Sequence, residues 1–88
     1  MVVATKPKSV LDGILRTEEA EARLNSIFKA VFAAHGGAEA LSYLKSITIN
    51  RVTGPDFSAE ALRHLEGQRF IVGLIDARMR AGEQESGK

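Results

Sequence analysis

Between residues 20 and 32 the apolar side chains Ala20, Leu24, Ile27, Phe28, Val31 and Phe32 follow one another at steps of four, three, one, three and one. That spacing lines one face of an amphipathic helix. Thr17 stands just ahead of it as a hydroxyl N-cap, and Glu18, Glu19 and Glu21 fill the first turn, where the helix dipole favours negative charge. The pattern predicts a helix starting here with its apolar stripe turned inward and Glu21, Arg23, Asn25 and Lys29 on the opposite face. His35, Gly36 and Gly37 are expected to stop it, since glycine takes the left-handed conformation past a helix end without a Cβ penalty.

Helical spacing resumes at Ala38 with Leu41, Leu44 and Ile47, predicting a second, short helix. In the stretch from Ser46 to Asn50 β-branched and polar residues alternate, which reads as an extended exit. Gly54-Pro55 marks a turn and linker from Arg51 to Phe57, and Ser58 then caps a third helix from Ala59 to about Ala81, with Glu60 in its first turn. Its apolar positions are Leu62, Leu65, Phe70, Ile71, Val72, Leu74, Ile75 and Met79, and between Phe70 and Ile75 they cover well over half the circumference. Two short helices hide only part of a rod about 34 Å long. The rest of that girdle is expected to meet another subunit or a partner protein. The fold class is therefore all-α: a small three-helix domain with one long C-terminal helix and extended terminal arms. Residues 1–16 form an N-terminal arm with a short helical turn at Val10 to Leu15, 17–81 the helical domain, and 82–88 a polar tail that begins where Gly82 ends the third helix.

Composition narrows the chemistry. Eighty-eight residues, 44% hydrophobic and 26% charged, fit one globular domain, and a net charge of +1 gives little long-range pull on nucleic acid. No cysteine is present, which removes disulfides, thiolate metal sites and cysteine nucleophiles. Neither a signal peptide nor a membrane anchor is expected, because no apolar run is long enough. His35 and His64 lack a second ligand at a metal spacing, so they read as helix-end and helix-surface residues and no metal is expected. Ser9, Ser42, Ser58, Asp56 and His64 carry no local signature of a nucleophile site, so no catalytic residue and no cofactor is expected. Gly36-Gly37 follows a helix and precedes no lysine-serine pair, unlike a phosphate loop.

Two features point towards binding. Residues 18–46 loosely resemble a helix-turn-helix whose second helix offers Ser42, Tyr43, Lys45 and Ser46, which makes a small regulatory protein binding DNA or a host protein the alternative reading. In the C-terminal third, Arg63, Arg69, Arg78, Arg80 and Lys88 are offset by Glu60, Glu66, Asp76, Glu83 and Glu85, as on a solvated face with Glu66 and Arg69 as an i,i+3 pair. Gly67 and Gly73 each cost the helix about 1 kcal/mol relative to alanine. Close helix approach, within the subunit or between subunits, is the expected return.

Val31-Phe32 ahead of Gly36-Gly37, Ala40-Leu41 and Leu44 on the short helix, and Glu66-Gly67-Gln68-Arg69 opening the apolar run to Ile75 together resemble a family of small tailed-phage proteins named after a Bordetella phage member. The likeness covers about residues 28–79. It implies a non-enzymatic, minor virion protein encoded among head, portal and packaging genes, made in the host bacterial cytoplasm and located in the virion. The partners it implies are portal, adaptor or core proteins and further copies of itself, with packaged DNA as another contact. Glu66, Gly67, Arg69, Phe70, Ile71, Leu74, Ile75 and Met79 are the interface candidates, with Gly67 allowing close packing and Arg69 expected to pair with a carboxylate on a neighbour.

Overall fold

The structure, a computed structural model, describes residues 11–86. It contains three helices: α1 (Glu18–Phe32), α2 (His35–Ser46) and α3 (Ala59–Ser86). The fold is all-α with a long C-terminal helix, as the periodicity predicts. Both expected caps form: Thr17 Oγ1 accepts from the Ala20 amide at 3.1 Å, and Ser58 Oγ from the Ala61 amide at 3.0 Å. Residues 1–10 of the expected N-terminal arm and 87–88 of the expected tail lie outside the described residues, while 82–86 belong to α3.

The junctions depart from the sequence reading. α1 ends at Phe32, before the glycines, and Gly36 and Gly37 lie in the first turn of α2 with negative φ. A Cβ on Gly37 would collide with the backbone carbonyl of Val31. The glycine therefore lets α2 seat directly on the last turn of α1, and it does not act as a stop. Beyond α2 the residues 47–50 form a tight turn in place of the expected extended exit. The amides of Thr48 and Asn50 donate to Lys45 O at 3.2 and 2.9 Å, and Thr48 Oγ1 donates to Leu44 O at 2.6 Å. These bonds occupy the carbonyls left open at the helix end, which outweighs a strand propensity that has no neighbouring strand to pair with.

Residues 11–15 carry no helical turn either. Asp12 Oδ1 takes the Ile14 amide at 3.0 Å, a local bond that competes with helix, and Gly13 sits at φ 78°, a left-handed conformation that glycine adopts without strain. At the other end α3 does not stop at Gly82 but continues to Ser86, giving 28 residues and a rod about 42 Å long.

α2 runs antiparallel to α3, with Leu41 beside Met79, Lys45 beside Asp76 and Thr48 beside Arg69. α1 lies on the C-terminal half of α3, where Glu21 and Asn25 meet Arg78. The molecule measures 59 × 30 × 15 Å, and its radius of gyration of 16.0 Å exceeds the about 12 Å expected of a compact chain of this length. Among the described residues only Leu41, Leu65 and Val72 are buried apolar side chains, against four buried polar ones, Glu21, Asn25, Thr48 and Arg78.

Candidate interaction surface

The seam between α1 and α3 is polar. Arg78, 2% exposed, donates from Nη1 to Glu21 Oε2 and to Asn25 Oδ1, both at 2.9 Å, and from Nη2 to Asp12 Oδ2 at 3.1 Å. Arg16 closes the cluster from the N-terminal side, donating to Asp12 Oδ2 at 2.6 Å, Asp12 Oδ1 at 3.1 Å and Glu21 Oε1 at 3.0 Å. Two guanidinium and two carboxylate groups balance, which is what allows charge to be buried here. Hydrogen bonds from Arg16 hold the Asp12 carboxyl well below its ordinary value, and the same contact raises Arg16.

This rotates α1 about its axis from the expected orientation. Glu21 and Asn25, assigned to the outer face by periodicity, are buried, while Ile27 and Val31 of the apolar stripe are 44% and 52% exposed. Leu24, Phe28 and Phe32 are half-buried, and the rings of Phe28 and Phe32 stack at 5.9 Å. The reason lies on the facing helix. α3 presents Arg78 and, one turn on, Gly82, where a Cβ would lie 2.8 Å from Lys29 Cβ and would overlap Asn25 O. Within the subunit, close helix approach occurs at Gly82 and not at Gly67. Glu21 and Asn25 spaced i,i+4, with Gly82 one turn beyond Arg78, were the signal in the sequence for this seam.

The candidates on α3 scatter over several environments. Arg69 is committed within the chain: Nε donates to Thr48 O at 2.8 Å, Nη2 to Arg51 O at 2.7 Å and Nη1 to Glu66 Oε1 at 2.6 Å. It fastens the turn after α2 to α3 and is not the free cation expected to reach a neighbour, although the i,i+3 pair with Glu66 forms as predicted. Phe70 and Ile71 are exposed, and Leu74, Ile75 and Met79 are half-buried. Phe70 and Leu74 border a small depression with Leu11, whereas Met79 faces Phe32 and Leu41. Gly67 has no atom within 4 Å of the place a Cβ would take, and Gly73 only Ile49 Cδ1 at 3.9 Å. Gly67 and Ile71 instead line an open groove of about 680 Å³ between the end of α2 and α3.

On the outer side of α2, Ser42, Tyr43 and Ser46 are exposed, but Lys45 lies 3.1 Å from Asp76 Oδ1. The only lysine or arginine of that helix is thus drawn into an internal ion pair, away from any groove-reading face. His35 and His64 are exposed, and no group of three or more metal-ligating side chains occurs among the described residues. No described helix is long and apolar enough to cross a membrane. Compared with family models, curated proteins and solved structures, the chain matches none. The likeness to the small tailed-phage family accordingly stands on the residues named for it.

Proposed function

We propose that this protein is a minor structural component of a tailed-phage particle, packing as multiple copies at the portal, the head-to-tail junction or the internal core. The observation that carries the reading is the imbalance of burial: among the described residues three apolar side chains are buried, while Ile14, Leu15, Ile27, Val31, Phe70 and Ile71 are 44–66% exposed. Large apolar side chains left open on several helices of a thin, elongated fold favour association as the role. The proposed chemistry is burial of apolar surface between subunits rather than turnover. The resemblance over about residues 28–79 supports a virion as the assembly. Quantitative mass spectrometry of density-purified particles of the encoding phage, scaled to the portal protein, tests it. A fixed ratio near one or a small multiple is the expected result; absence from mature particles overturns the virion reading.

A further inference from the structure

On α3 the positions His64, Gly67, Ile71 and Leu74 recur at steps of three, four and three, the spacing of a seam between two helices. The seam continues at Arg78, where α1 and Asp12 cover it. Towards the start of α3 it opens into the groove of about 680 Å³, walled by Leu44 and Ile47 on one side and floored by Gly67, Ile71 and Val72. Ile71 is 54% exposed, and one turn before it the missing side chain of Gly67 leaves a notch that no described atom enters. A glycine inside a helix costs about 1 kcal/mol relative to alanine. Nothing among the described residues uses the room it makes.

Resting on the reading of the protein as an associating subunit, we propose that a second copy of this chain fills the groove. The two α3 helices cross antiparallel about a two-fold axis at the level of residue 69, midway between notch and knob. Each Ile71 then enters the notch over the partner's Gly67, so one surface is complementary to itself, as an isologous contact requires. Charge favours the same arrangement. Arg63 borders the groove at one end and is the charged residue of its lining. The two-fold axis separates Arg63 from its copy in the partner by about 18 Å at 1.5 Å per residue, whereas a parallel pairing in register would stack the two cations. The groove lining is smaller than the about 20–30 residues per side of a standard interface, so dissociation constants of order micromolar are expected.

Sedimentation velocity over about 1–100 µM tests the pairing, a micromolar constant falling inside that range. The wild type is expected to move with concentration towards twice 9.5 kDa. Ile71→Arg should weaken the dimer at least about 30-fold with helical circular dichroism unchanged, as loss of a central anchor does. Val52→Arg, on a loop residue 91% exposed, should leave it intact. Because the chain has no cysteine, register can be read directly: a mixture of Gly67→Cys and Ile71→Cys chains should form a disulfide faster than either alone. A monomer throughout, a dimer indifferent to Ile71→Arg, or faster self-linking of Gly67→Cys overturns the proposal. A monomer found in purified particles would refute only the pairing, and a dimer absent from them only the virion reading.

Discussion

Two glycines of α3, fifteen residues apart, should respond to alanine in opposite directions. At Gly67 a new Cβ meets nothing within 4 Å. The substitution therefore contributes helix propensity alone, about 1 kcal/mol of added stability. At Gly82 the same propensity gain is opposed by a Cβ 2.8 Å from Lys29 Cβ and closer still to the backbone oxygen of Asn25. Ordinary carbon contacts lie at about 3.5–4.0 Å, and backbone cannot rotate aside. α1 must move off α3, and that movement stretches the 2.9 Å bond between Arg78 and Asn25. Overpacking costs about 1–3 kcal/mol, and with a backbone atom as the obstacle the upper end applies. The net effect at Gly82 is a loss of about 2 kcal/mol, after subtracting the propensity term. Urea unfolding followed by circular dichroism reads both variants, at sub-micromolar protein so that association does not enter. With a slope of about 1 kcal/mol per molar, the midpoint should rise about 1 M for Gly67→Ala and fall about 2 M for Gly82→Ala. Shifts of the same sign would refute the assignment of Gly82 as the point of helix contact.

Arg78→Met removes the shared cation from Glu21, Asn25 and Asp12, and breaking a buried ion pair in this way costs about 3–5 kcal/mol. That is a large part of the about 4–13 kcal/mol available to a chain of this length. Adding Glu21→Leu should restore part of it, and a single-variant loss below about 1 kcal/mol in the same urea assay would show that the cluster does not hold α1 in place. For Asp12, the folded value lies below the ordinary 3.8. Its contribution is present above that value and drains away as pH falls through the depressed folded one. Thermal unfolding between about pH 5 and pH 2 should therefore show a steeper acid loss for wild type than for Asp12→Asn; parallel curves would rule out a stabilising contact of Asp12 with Arg16 and Arg78.

The number of helices, their order and two of their starts were legible in the chain. Thr17 and Ser58 each place a hydroxyl one residue ahead of an apolar period, and the bonds they make are local, so no knowledge of the rest of the fold is needed. The excess of apolar positions between Phe70 and Ile75 is likewise a property of one helix. Tertiary structure decided which face of α1 turned inward. Hydrophobic periodicity locates a stripe, but burial depends on what the opposite helix offers, and α3 offers Arg78 with the close approach at Gly82. The glycines divide on the same ground. Their backbone freedom is a local property, whereas a missing Cβ acquires its purpose only from the atom that would otherwise collide with it. Gly37 faces Val31 O, Gly82 faces Asn25 O, and Gly67 faces open groove. Three glycines read in the sequence as a stop, a close approach and an end thus serve as a seat, an open notch and a contact, because the identity of the opposing atom is fixed only when the helices meet.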